Sequence, residues 1–113
     1  MQVIIHGQGV GISAPLEQHA EKRIGFAVRR FKERVDLVEI QLADVNGPRG
    51  GEDLECRLLV RIPGENSVVV RATGLDAYAI LDRAAAKASR AIASLLGKRL
   101  ALSRSAPAPR MTS

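Results

Sequence analysis

Apolar positions recur along this chain with two different periods, and the switches between them mark out the elements. Val3, Ile4 and Ile5 stand in a short run, residues 2–6, that reads as a strand ended by glycines at 7, 9 and 11. Ser13 followed by Pro15 is a helix start, because the hydroxyl caps free amides and proline suits the first turn. Leu16, Ala20, Ile24, Ala27, Val28 and Phe31 then keep helical spacing to about Arg34, across a Gly25 that weakens the helix. From Val35 the period changes to two. Val38, Ile40 and Leu42 alternate with Glu39 and Gln41, and Asn46-Gly47-Pro48-Arg49-Gly50-Gly51 reads as a hairpin loop. Cys56, Leu58, Val60 and Ile62 alternate with Glu55, Arg57, Leu59 and Arg61. Pro63-Gly64-Glu65-Asn66 then turns the chain into a further strand over 67–73. Asp76 caps a final helix whose apolar side, Ala77, Leu81, Ala84, Ala88, Ile92 and Leu95, predicts a run to about Arg99 past Gly97.

The predicted order is β-α-β-β-β-α, a two-layer α/β (α+β) fold. A sheet of three to four strands with both helices on its apolar face buries every apolar stripe and leaves the other face wet. Residues 1–102 read as one domain. The stretch 103–113, with two prolines and no periodicity, reads as a disordered tail.

Composition adds bounds rather than identity. At 113 residues, 46% hydrophobic and 26% charged, the chain has the make-up of a single globular domain. No apolar run approaches the ~20 residues that span a bilayer, and Met1 leads straight into a strand pattern rather than a signal peptide. The lone Cys56 has no partner for an internal disulfide, which points to a reducing cytoplasm.

Charge changes the picture more. The net +5 is sorted along the chain: segment 13–34 carries six basic residues against three acidic, segment 76–99 five against two, and segment 35–75 four against seven. The excess therefore sits on the two helical segments and the tail. On the last helix Arg83, Lys87, Arg90 and Lys98 fall on one stripe with no acid among them. On the first, Lys22 and Arg29 form one row, and His19, Arg23 and Arg30 a second beside it. Any surface helix needs a charged face for solubility. A stripe without glutamates, beside a second basic helix, instead predicts a polyanion-binding patch. A membrane-surface role is disfavoured, since the apolar faces are alanine-rich and needed by the core.

Other chemistry is thin. His6 and His19 share no metal-ligand spacing with each other or with Cys56, which falls on the inward phase of its strand and reads as a buried thiol. Gly7-Gln8-Gly9-Val10-Gly11 misses the dinucleotide-loop spacing, with Ile12 where the third glycine belongs. No catalytic residue, metal, cofactor or small-molecule substrate is expected. Phe26, Phe31 and Tyr78 are the only aromatics and none lies in a strand, so the sheet offers no base-stacking platform. Phosphate and shape should then dominate any RNA recognition. Arg49 stands at the tip of the hairpin loop, which by default is a solvated turn. The outward Arg57, Arg61 and Arg71 are expected to pair with acids across the strands. Leu59 and Val69 on the wet sheet face suit a weak homodimer.

Four features together resemble a known family. They are the element order, the opening strand ending in His6-Gly7, the segment Asp44-Val45-Asn46-Gly47-Pro48 before the Cys56 strand, and the helix start Asp76-Ala77-Tyr78-Ala79-Ile80-Leu81-Asp82 followed by Lys87 and Arg90. Over residues 1–100 the chain resembles the ribosome hibernation-promoting and ribosome-associated inhibitor proteins, also called sigma-54 modulation proteins, in their short form. The resemblance implies a cytoplasmic, non-enzymatic partner of the small ribosomal subunit that sits in the channel for messenger and transfer RNA. By position it makes Lys22, Arg23, Arg29, Arg30, Arg83, Lys87 and Arg90 contacts to ribosomal RNA, and it implies a fold similar to double-stranded RNA-binding domains. The alanine-rich last helix has fewer lysines than many members, and the long form's C-terminal dimerisation domain is not expected here. The alternative is a regulator docking on an acidic protein partner such as a transcription factor.

Overall fold

The computed structural model describes residues 1–45 and 53–104, with side chains described up to Gly97. Its elements are β1 (Gln2–Gln8), α1 (Ala14–Ala27), a single 3₁₀ turn (Arg29–Phe31), β2 (Leu37–Asp44), β3 (Leu54–Arg61), β4 (Val68–Gly74) and α2 (Ala77–Arg104). The order is the β-α-β-β-β-α predicted from periodicity. The expected hairpin loop at 46–51 lies outside the described residues, and so does all of the expected tail beyond Arg104.

The four strands form one sheet in chain order, β1-β2-β3-β4. β1 runs parallel to β2, as a strand joined through a helix must be able to do, while the β2–β3 and β3–β4 pairs are antiparallel. The period-two segments bury one set of side chains: Val38, Ile40 and Leu42 from β2, Cys56, Leu58 and Val60 from β3, and Ala72 from β4. Both helices cover that face. α2 lies over β3 and β4, and α1 packs beside it on the β1 side. From the helices, Leu16, Ala20, Ile24, Ile80, Leu81, Ala84, Ala85, Ala88 and Ile92 close the core. Its alanines let the helix backbones come close to the sheet and to each other.

Local signals act where the sequence places them. The Ser13 hydroxyl accepts from the Leu16 N–H at 3.2 Å, and the Asp76 carboxylate accepts from the Tyr78 N–H at 3.0 Å. Gly64, at φ +85°, lets the turn after β3 close with Glu65 N–H donating to the Ile62 carbonyl at 2.9 Å. At Gly74 a Cβ would stand 2.8 Å from the buried Ile80 side chain and 3.2 Å from the Arg83 guanidinium, so glycine there admits the first turn of α2 against the end of β4.

Three boundaries differ from the sequence reading. β1 continues through Gly7 to Gln8, because each of its seven residues has a partner in β2. α2 runs on to Arg104, past the expected helix end near Arg99. The larger correction concerns the first helix, which ends at Ala27 rather than near Arg34. Phe31 N–H donates to the Val28 carbonyl at 2.8 Å, tightening the chain into a 3₁₀ turn. A straight helix would have carried Arg34 about 10 Å beyond Ala27. Too little chain would then remain to return to Leu37, where β2 begins. Val28 and Phe31 keep the three-residue spacing in either geometry, so periodicity alone did not separate the two.

Candidate nucleic-acid interface

The expected cationic side chains stand on three elements: α1, the 3₁₀ turn that follows it, and α2. Lys22 and Arg23 belong to α1, but Arg29 and Arg30 sit on the 3₁₀ turn rather than on the helix where they were expected. Arg83, Lys87 and Arg90 stand exposed on α2. Lys98 lies on the α2 backbone beyond the last described side chain.

The helices are clamped to each other by Asp82. Its Oδ1 lies 2.7 Å from His19 Nε2 and 3.2 Å from Arg23 Nε, and the His19 ring meets Tyr78 edge-on at 5.0 Å. Arg23 Nε is shielded from solvent without forming an aligned hydrogen bond, so its tie to Asp82 is an ion pair. The row of His19 and Arg23 therefore faces α2, where sequence spacing alone had placed it beside an outward row. Asp82 itself carried no signal in the sequence as a partner of residues some sixty positions earlier.

The α2 stripe also divides. Arg83 donates to the Thr73 carbonyl, and Lys87 Nζ to the Arg71 carbonyl at 2.7 Å. Both carbonyls belong to β4, the edge of the sheet, so the two cations cap backbone groups that would otherwise offer a new strand a ladder. Arg90 turns the other way. With Arg23, Phe26, Ala27, Ala86 and Ser89 it lines an open groove of about 290 Å³ between α1 and α2. Among the described residues Lys22, Arg29, Arg30 and Arg90 have no carboxylate within ion-pair distance. Two of them lie over rings instead: the Arg29 guanidinium is 4.7 Å from the Phe26 centroid, and that of Arg30 is 4.9 Å from the Phe31 centroid.

The opposite sheet face is a patchwork of cross-strand pairs. His6 meets Glu39 at 2.9 Å, Arg61 meets Asp36 at 3.1 Å, and Arg71 approaches Glu55 at 3.8 Å. Arg57 departs from the expected pairing, since β3–β4 register sets it opposite Arg71 and no carboxylate is within ion-pair distance of it among the described residues. Leu59 and Val69 are also register partners on this face.

Among the described residues no group of three His, Cys, Asp or Glu side chains has metal-site geometry. Burial and the neighbouring Glu55 carboxylate push the Cys56 thiol up from 9.0 to about 12, the opposite of an activated nucleophile. Among the described residues no helix is long and apolar enough to cross a membrane.

Comparison with known proteins fits this architecture. The sequence pattern of the family described as Sigma 54 modulation protein / S30EA ribosomal protein matches residues 3–99. No curated protein sequence matches the chain significantly. Among solved structures, the chain is similar to a ribosomal subunit interface protein from Coxiella burnetii, with a TM-score of 0.69 at 20% identity over 88% of this chain and 99% of that one. It is likewise similar to the Protein Y N-terminal domain of Thermus thermophilus, with a TM-score of 0.63 at 21% identity over 80% and 91% of the two chains.

Proposed function

We propose, from the premise that this chain belongs to the sigma-54 modulation protein / S30EA ribosomal protein family, that it is a non-enzymatic, cytoplasmic hibernation factor of the small ribosomal subunit. One observation carries the reading: among the described residues Arg90 on the α1–α2 groove, Arg29 over the Phe26 ring that lines it, and the exposed Lys22 and Arg30 have no carboxylate neutralising them. Such cations gain by replacing condensed counterions on the phosphates of ribosomal RNA. Arg83 and Lys87 extend the surface along α2, and Arg23 supports it from the interhelical seam. Lys98 continues the same stripe in sequence. Bound in this way, the body of the protein occupies the channel of messenger and transfer RNA and holds the ribosome idle.

Salt dependence and charge reversal test the proposal together. Affinity for small subunits should fall steeply with salt; Lys87→Glu with Arg90→Glu should abolish co-sedimentation, and the milder Arg90→Ala should reduce the log–log slope by about one. Melting of the double variant reports whether the fold survives. If a folded double variant still pellets with ribosomes at moderate salt, the RNA surface lies elsewhere. A cellular complex that survives RNA digestion would instead favour the acidic protein partner.

A further inference from the structure

Phe26 is the anomaly of the basic face. It is 58% exposed, whereas Leu16, Ala20, Ile24 and Val28 on the inner side of the same segment are buried. Its neighbours at three and four positions on either side, Lys22, Arg23, Arg29 and Arg30, are all basic. The guanidiniums of Arg29 and Arg23 lie 4.7 Å and 5.9 Å from its ring centroid, holding the ring in place. Beside it runs the interhelical groove, walled by the small side chains of Ala27, Ala86 and Ser89 and closed by Arg90. An exposed ring contributes little to the core, and solubility is better served by almost any polar residue there.

We infer that Phe26 and this groove form a stacking site for one unpaired nucleotide, whose phosphates are held by Arg29 and Arg90. The inference rests on the RNA-binding reading above and adds to it a preference for unpaired bases. Charge and shape select the occupant. A nucleotide pairs a flat π-face with adjacent anions, and the groove pairs an aromatic ring and a guanidinium plane with adjacent cations. An acidic peptide satisfies the cations but leaves the ring unused. The lack of aromatics in the strands thus excludes stacking on the sheet, not on the helices.

The probes are a short single-stranded RNA carrying one 2-aminopurine and the same oligomer with an abasic site at that position. Wild-type protein should bind the base-bearing oligomer about tenfold more tightly than the abasic one and quench the 2-aminopurine fluorescence. Phe26→Leu should bring that ratio close to one and abolish the quenching. It should leave the salt slope unchanged, because no cation is removed, and lower the melting temperature by only a few degrees through the lost cation–π contacts. A wild-type ratio near one, or a Phe26→Leu ratio equal to wild type, overturns the stacking site while the phosphate-binding reading stands. Wild-type protein that binds neither oligomer, or binds polyglutamate as tightly as RNA, overturns both.

Discussion

Replacing Asp82 should loosen the whole basic face, because one carboxylate oxygen ties α1 to α2. His19 Nε2 at 2.7 Å and Arg23 Nε at 3.2 Å converge on Oδ1. The Asp82 side chain is 42% exposed and Arg23 41%, which limits the ion pair to the 0.2–1 kcal/mol typical of solvated pairs. The His19 side chain is more enclosed, at 27%, so its hydrogen bond contributes about 1 kcal/mol. Asp82→Ala also strips the shielded Arg23 Nε of its counter-charge, an added cost within the same range. The expected loss is about 2 kcal/mol, or a fall in melting temperature of roughly 6–12 °C for a domain of this size. Asp82→Asn keeps an acceptor at the same place and should lose about half as much. Urea denaturation of wild type, His19→Ala, Asp82→Ala and the double variant would give the coupling directly, with a value above about 0.5 kcal/mol expected. Asp82→Ala within 0.5 kcal/mol of wild type, or a coupling indistinguishable from zero, would refute the clamp.

The buried thiol and the β4 edge give two further expected outcomes. Cys56 stays protonated in the folded protein up to about 12, whereas the unfolded thiol ionises near 9.0. The unfolded state therefore loses its proton first, so the thiol's contribution to stability is complete below pH 9 and declines as pH rises toward 12. Relative to Cys56→Ala, wild-type protein should lose stability steadily as pH rises through that window, and its thiol should react with a disulfide reagent only after unfolding. Equal pH profiles for the two proteins would contradict the burial argument. Arg83→Ala with Lys87→Ala should expose the β4 carbonyls of Thr73 and Arg71 and promote concentration-dependent self-association, read by light scattering after size exclusion. A variant that stays at the wild-type mass at every concentration would show that the two cations do not guard the edge.

The basic patch was legible as a set of residues but not as an arrangement. Helical spacing put Arg83, Lys87 and Arg90 on one stripe, and they do share one exposed side of α2. Spacing did not reveal that Lys87 leans toward β4 while Arg90 leans toward α1, because that depends on which element lies on each flank. For the first helix the spacing misled. Arg29 and Arg30 look helical in period, yet they stand on a 3₁₀ turn forced by the short return path to β2. Phe26 shows in the sequence only as an aromatic outside the strands; its exposure amid four cations follows from which side of α1 the core covers.

What the sequence determined by itself is the inside and the outside of each element. Backbone period alone sets which side a residue faces, so Val38, Ile40 and Leu42, or Ala84, Ala88 and Ile92, are assigned to the core without knowledge of any neighbour. Caps are equally local, as Ser13 and Asp76 satisfy amides two or three residues away. Partners across elements are not local. His19 meets Asp82 across 63 positions, Lys87 meets the Arg71 carbonyl, and Arg57 faces Arg71 because the strands pair in one register. Those contacts exist only once core packing has fixed the distance and direction between elements, and they decide which cations are tied to protein groups and which are not.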